Sequence, residues 1–246
     1  MATADLITQL KQDFDDVYAA GKAAGGGSGD YDQGYEDGKN SVAQIERYLG
    51  SGSFVGLGIF QNKEVELYFD LMSSFQSLFY CQNELYKNTT LEHLTINALK
   101  SIVNMGQVLR CFNTTADKVL KRLTLNFSTQ KATSFYRSFD YCQALETIDG
   151  EPLDFSSAKN ADEISYMFNQ CVALTNIRVV ANSIKFNISF SHSSKLSTDT
   201  IQSIIDGLVD LTGGTARTLT LHATVGSKLT DEQKSTITAK NWTLVY

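Results

Sequence analysis

Apolar residues along this chain fall in short clusters that return every 25–31 residues, and the polar positions between them return on the same beat. The clearest pattern is L-x-x-[LI]-x-Φ, with Φ apolar. It occurs at Leu91/Leu94/Ile96, Leu120/Leu123/Leu125, Leu145/Ile148 (with Gly150 third) and Leu174/Ile177/Val179. Its first leucines are 29, 25 and 29 residues apart. Alternation of this kind predicts strands, here at 91–98, 120–127, 144–149 and 173–180. Before each strand runs an aromatic-rich arm that ends in a cysteine. Cys81, Cys111, Cys142 and Cys171 are separated by 30, 31 and 29 residues. The last two copies align as Phe139-x-x-Cys142-x-x-Leu145-x-x-Ile148 and Phe168-x-x-Cys171-x-x-Leu174-x-x-Ile177. Leu78 and Val108 take the phenylalanine position in the earlier two, which carry six or seven extra residues before the strand. Apolar spacing in the arms predicts helices at 71–82, 99–112, 134–143 and 161–171. Units of this length cannot bury an apolar edge alone, so stacking supplies the core.

The ends differ from the middle. Ile7, Leu10, Phe14 and Val17 form a two-heptad seam on a helix predicted over 4–22. A helix that short is marginal alone, so the seam either docks on its own repeats as a cap or mediates self-association or attachment to another protein. A glycine run, Gly25–Gly29 broken by Ser28, reads as a flexible tether. It leads into acidic residues and a short helix over 40–49. FVGLGIF (54–60) and VELYF (65–69) read as strands, and the stack begins there. After residue 182 the cysteine motif is absent. IKFNISF (184–190) reads as a strand, followed by a helix with its N-cap at Ser197 or Thr198. The stripe Ile201, Ile204, Ile205, Leu208, Leu211 lies on that helix, which Gly213-Gly214 ends. A strand TLTLHATV (218–225), a helix over 229–241 and a strand WTLVY (242–246) close the chain. The expected organisation is 1–24 helix, 25–50 tether and short helix, 51–182 repeat stack, and 183–246 a capping region for the open end of the core.

The strand motif, with Asn97 or Asn126 one residue beyond the last apolar position, resembles the leucine-rich-repeat core. The [FY]-x-x-C-x-x-L-x-x-I repeat resembles BspA-like leucine-rich repeats of bacterial surface proteins. The closing segment from Lys195 to Tyr246 is similar to the C-terminal cap of leucine-rich-repeat proteins encoded by phages and prophages of gut Firmicutes, and ADLITQLKQDFDDVYAAGK to their opening. The resemblance implies an α/β fold: a leucine-rich-repeat solenoid with a C-terminal α/β cap and a short N-terminal helix. It also implies a virion-associated or surface-displayed recognition protein, with no catalytic residues to carry over. The insertions before the first two repeat strands and the short Gly/Ser tether depart from the family pattern.

Composition narrows the chemistry. The 246 residues are 42% hydrophobic and 20% charged, with a net charge of -6. That balance suits a globular chain and disfavours nucleic acid, which needs a concentrated basic face. No apolar stretch reaches the ~18–20 residues of a membrane helix. No basic segment followed by an apolar core marks a secretory signal, so a place on a virion or extracellular surface is expected through assembly or lysis, or through a signal outside this sequence. Equal spacing sets the cysteines at equivalent depths in successive coils, where a reduced thiol packs as a small hydrophobe; disulfides are the alternative. No C-x-x-C pair occurs and His93, His192 and His222 are scattered, so no zinc site is expected. Asp30, Asp32, Glu36 and Asp37 suggest calcium, but Gly34 and Ser41 stand where an EF-hand loop needs ligands. No cofactor is expected.

No G-x-S-x-G elbow, H-E-x-x-H pair, phosphate loop or G-x-G-x-x-G fingerprint occurs. Gly56-x-Gly58 reads as a bend, and Asp15/Asp16 and Asp149/Glu151 as solvated surface. His222 is expected on a sheet face and His93 on an exposed strand position. Five N-x-[ST] sequons, at Asn88, Asn113, Asn126, Asn187 and Asn241, follow from Asn, Ser and Thr content. What remains is a surface. The x positions of successive strands give Glu92, His93 and Thr95; Lys121, Arg122 and Thr124; Glu146, Thr147 and Asp149; Thr175, Asn176 and Arg178. Both charge signs occur there, which suits a protein or glycan partner better than a phosphate backbone. The expected function is non-enzymatic recognition or adhesion on a phage virion, tail- or capsid-associated. The partners would be a host-surface protein or glycan, a virion structural protein through the Ile7/Leu10/Phe14/Val17 seam, or a second copy of the chain. A bacterial surface adhesin is one alternative. The other is a glycan-active hydrolase, whose two carboxylates about 5–9.5 Å apart would be assembled only by folding.

Overall fold

The computed structural model describes Gln12 and residues 64–68, 91–97, 105–106 and 119–246. The N-terminal seam, the tether, the acidic segment, the Gly56-x-Gly58 bend, Cys81 and Cys111 all lie outside the described residues.

Four strands, β1 (Glu64–Tyr68), β2 (His93–Asn97), β3 (Arg122–Asn126) and β4 (Thr147–Gly150), pair in parallel in chain order. Their register follows the sequence period, with Glu64 opposite His93, His93 opposite Arg122 and Arg122 opposite Thr147. A bridge from Thr147 to Asn176 carries the row one unit further. The period-2 alternation explains the burial. Leu94, Leu123, Ile148 and Ile177 point inward, and Leu91, Leu120, Leu145 and Leu174 are buried one turn earlier in each unit. Just after these leucines, main-chain bonds step from unit to unit: Lys121 N–H to Glu92 O at 2.9 Å, Glu146 N–H to Lys121 O at 2.8 Å and Thr175 N–H to Glu146 O at 2.8 Å.

Gly150 breaks the apolar motif for a backbone reason. Its φ is +87°, and a Cβ there would collide with the Leu125 carbonyl. The strand turns out at Gly150-Glu151-Pro152, and Leu153, buried, bridges Val179 in place of the missing third apolar residue.

The arms at 134–143 and 161–171 are not helices, and those at 71–82 and 99–112 lie outside the described residues apart from 105–106. Over 135–141 the N–H groups of alternate residues bond sideways to the next unit, Phe135 to Glu163 O, Arg137 to Ser165 O, Phe139 to Met167 O and Tyr141 to Asn169 O. Left-handed residues recur at equivalent places, Arg137 (φ 54°) and Tyr141 (φ 62°), then Tyr166 (φ 54°) and Gln170 (φ 59°). These interrupt any i→i−4 ladder and leave only a 3₁₀ turn at Asp162–Ile164. Phe135, Phe139 and Cys142 have helical spacing, yet they reach the core from stacked turns. Phe139 stacks on Phe168 at 5.5 Å, and Phe168 on Phe190 at 4.7 Å between ring centroids. Cys142 and Cys171 are buried, and the Cys171 thiol donates to Phe139 O at 3.0 Å.

Beyond residue 182 the arm motif continues in altered form. Phe190-x-x-Ser193-x-x-Leu196 takes the place of Phe-x-x-Cys-x-x-Leu, with Ser193 Oγ donating to Cys171 O at 3.1 Å. Helix α1 (Thr198–Gly207), capped by Ser197, then covers the open strand edge. Strand residues 177 and 179 turn their main-chain groups outward, and two hydroxyls meet them. Thr200 Oγ1 accepts from Ile177 N at 3.0 Å and donates to its carbonyl at 3.3 Å; Ser203 Oγ does the same for Val179 at 2.8 and 3.4 Å. An exposed strand edge templates unwanted pairing, and here side chains occupy it. Gly207 lets the helix approach, since a Cβ there would lie 2.7 Å from Val179 Cγ1.

α1 ends at Gly207 rather than at Gly213-Gly214, because Leu208 turns extended to bridge Ile184. Lys240 Nζ donates to the carbonyls of Ile205 (3.0 Å) and Leu208 (2.8 Å), a cation where the helix dipole favours one. A second parallel sheet holds β5 (Ile188–Phe190), β6 (Arg217–Leu221) and β7 (Trp242–Val245) in that order. β5 is shorter than the alternation over 184–190 predicts. β6 also ends early, at Leu221: His222 is not a sheet-face residue but the N-cap of α2 (Ala223–Gly226), its Nδ1 accepting from Thr224 N at 3.2 Å. A Thr230/Gln233 capping box starts α3 (Asp231–Ala239).

Candidate functional site

Because Leu94 and Ile96 point inward, their neighbours on β2 point out, and the same holds on β3, β4 and the strand segment at 175–178. Eight of the twelve positions marked by the sequence therefore share one face as two rows, His93–Arg122–Thr147–Asn176 and Thr95–Thr124–Asp149–Arg178, and Glu92–Lys121–Glu146–Thr175 form a third row just before the strands. All are exposed or half-buried.

Two ion pairs cross from unit to unit on this face. Lys121 Nζ meets Glu92 Oε2 at 2.8 Å. The hydrogen bond to Glu92, its charge and that of Glu146 together raise the lysine's pKa above its ordinary value. Arg122 presents both Nε and a terminal nitrogen to Asp149 Oδ2, each at 2.7 Å. Asp149 Oδ1 accepts from Thr124 Oγ1 at 2.5 Å. His93 Nε2 lies 3.0 Å from Thr124 Oγ1 and 3.3 Å from Thr95 Oγ1. With the Thr124 proton directed to Asp149, the threonine oxygen accepts from a protonated Nε2. That order runs opposite to a hydroxyl activated by histidine, where the hydroxyl must donate to the ring nitrogen.

The other positions belong less tightly to this network. Arg178 donates to the Gly150 carbonyl, and Thr175 Oγ1 to Ala173 O at 3.1 Å. Thr147 and Asn176 pair through the backbone. Asn126 donates to Asn97 Oδ1 at 2.9 Å, extending the polar face past the rows that the sequence marks. Among the described residues, no group of three or more His, Cys, Asp or Glu side chains converges as metal ligands. No described helix is long and apolar enough to cross a membrane.

A second concavity was missed by sequence reasoning. A cleft of about 640 Å³ lies between the arm at 162–169 and the second sheet. Tyr166, Asn169, Asn187, Ser189, Ser191 and His192 are among its walls. Tyr166 and Phe168 both lie in the arm at 161–171, yet Phe168 is buried, whereas Tyr166 is 59% exposed. The left-handed backbone at Tyr166 turns the chain there, and nothing in the apolar spacing announces it.

Compared with protein-family models, curated proteins and solved structures, the chain matches none.

Proposed function

We propose that this chain is a non-enzymatic recognition module, a leucine-rich-repeat type α/β solenoid, displayed on a phage particle and contacting a host-surface protein through its outward strand face. One observation carries the reading: polar side chains stand in three parallel rows on a buried leucine stack and are held by bonds that cross from unit to unit. Side chains ordered in advance lose less entropy when a partner binds. Mixed charge signs give electrostatic selectivity for a protein surface. Display on a virion rests on the likeness of both chain ends to phage and prophage leucine-rich-repeat proteins. Display on a bacterial surface is the second reading, favoured by the BspA-like arm motif.

The test is binding of fluorescently labelled full-length chain to intact Firmicute cells, alongside an Arg122→Glu/Arg178→Glu variant. Saturable binding that falls at least tenfold in the variant is expected. No binding, or equal binding by both proteins, overturns the reading. Mass spectrometry of purified particles separates the two locations, since peptides of this chain belong in the particle only if it is displayed there.

A further inference from the structure

We propose that the cleft between the arm at 162–169 and the second sheet is a binding site for a neutral oligosaccharide. This surface is distinct from the strand face, so the proposal stands whether or not that face meets a partner.

The size is right. At about 640 Å³ the cleft falls within the roughly 300–1,000 Å³ of small-ligand sites. Its walls come from two parallel systems: the backbone of 162–169, held sideways by the preceding arm, and β5 and β6, which contribute Ser189, Thr218 and Thr220, with Asn187 just before β5. Buried Ile164, Met167, Phe168 and Ile188 also line it and fix its shape. The site is therefore set by the fold and does not depend on a loose loop.

The chemistry points to sugars. A pyranose offers hydroxyls that both donate and accept, plus one patch of C–H bonds. Its partner surface needs amides and hydroxyls on one side and an aromatic ring on another. The cleft supplies the amides of Asn169 and Asn187 and the hydroxyls of Ser189, Ser191, Thr218 and Thr220. Tyr166 supplies the ring. The Arg137 guanidinium lies 4.9 Å from its centroid, a cation–π contact that steadies the ring, while the residue stays 59% exposed. An aromatic body with a polar tip serves a site that is apolar on one side and wet on the other.

Other ligand classes fit worse. Among the described residues lining the cleft, none is lysine or arginine, so a phosphate or carboxylate ligand would meet no permanent positive charge on the walls, where His192 is the one side chain able to protonate to a cation. Asp162 is the one carboxylate among them. A wholly apolar ligand would strip water from the amides and hydroxyls of the walls, at a desolvation cost that the internal bonds of Asn169, Asn187 and Ser189 offset only in part.

The test is a titration of full-length protein with cellotriose, maltotriose, mannotriose, galactotriose and N-acetylchitotriose, with trigalacturonate as the anionic control, read by saturation-transfer NMR. Saturable binding of at least one neutral trisaccharide is expected. Tyr166→Ala should weaken it at least tenfold, and Tyr166→Phe should retain it. Ser189→Tyr, which fills the cleft from an exposed position, should also weaken it at least tenfold, and it decides alone if Tyr166→Ala fails to fold. The proposal is overturned if no neutral trisaccharide binds, if binding is unchanged in Ser189→Tyr, or if trigalacturonate binds more tightly.

Discussion

Thr200→Val is the sharpest probe of how the repeat stack is closed. Valine keeps the shape of threonine and removes the hydroxyl, so packing is preserved and hydrogen bonding is isolated. Thr200 is buried, with 2% of its surface accessible, so water cannot readily take over. Its hydroxyl serves both main-chain groups of Ile177, the N–H at 3.0 Å and the carbonyl at 3.3 Å. Leaving a buried donor or acceptor unmet costs about 1–3 kcal/mol each. The longer carbonyl bond belongs at the low end, so the expected loss is about 2–4 kcal/mol. Thr200→Ser keeps the hydroxyl and loses one methyl, for about 1 kcal/mol. Ser203→Ala acts on Val179 at a half-buried position, where water can substitute, and about 1 kcal/mol is expected. Urea denaturation followed by circular dichroism measures all three. A shift in midpoint with unchanged slope marks a change of stability alone. If Thr200→Val loses less than about 0.5 kcal/mol, or Thr200→Ser loses as much as Thr200→Val, the hydroxyl closure of the edge is wrong.

Three further outcomes are expected. Phe168→Ala, which removes the middle ring of the Phe139–Phe168–Phe190 stack, should cost about 3–5 kcal/mol in the same assay; a cost below about 1 kcal/mol would show that the column does not bear on stability. Native protein treated with iodoacetamide should leave Cys142 and Cys171 unmodified in peptide maps until denaturant is added, and rapid labelling of either would contradict their burial. Hydrogen bonds from Thr212, side chain first and backbone second, hold the Asp210 carboxyl below its ordinary 3.8. A lowered folded value gives stability that is present above the unfolded value and lost as pH falls through the folded one. The gap in thermal midpoint between wild type and Asp210→Asn should therefore be present at neutral pH and close in acid. A gap that widens below 3.8 would reverse the sign.

What was legible in the sequence was the inward half of the strands. The spacing of Leu91, Leu120, Leu145 and Leu174 fixes which residues are buried, because period-2 alternation leaves one choice of face. The outward strand residues follow from the same alternation, so His93, Thr95 and their equivalents in the next units could be named before any contact was known, whereas Glu92, Lys121, Glu146 and Thr175 precede the strands and follow from the repeat alone. The cross-unit partners could not, because Arg122 reaches Asp149 across 27 residues of chain. The arms misled for a definite reason. Phe135, Phe139 and Cys142 repeat at helical spacing, and periodicity alone cannot tell a helix from a turn stack whose N–H groups bond to a neighbouring unit. Serine for cysteine at Ser193, with an interval of 22 residues after Cys171, hid the next copy of the arm motif. The cleft was invisible because its two walls, Asp162–Asn169 and Asn187–His192 with Thr218 and Thr220, meet only through the parallel stacking of distant segments.

Covalent footprinting on cells tests the strand face as the recognition surface most directly. Full-length chain is labelled at lysines by acetylation and at carboxylates by amidation, once free in solution and once bound to intact Firmicute cells, and the modified peptides are compared. Lys121 is accessible on the strand face, and Glu146 is exposed beside it. Lys195, Lys228 and Glu232 are exposed away from it. The expected result is protection of Lys121 and Glu146 on binding, with Lys195, Lys228 and Glu232 labelled as before. Protection confined to Lys195, Lys228 and Glu232, with Lys121 and Glu146 unchanged, would contradict it.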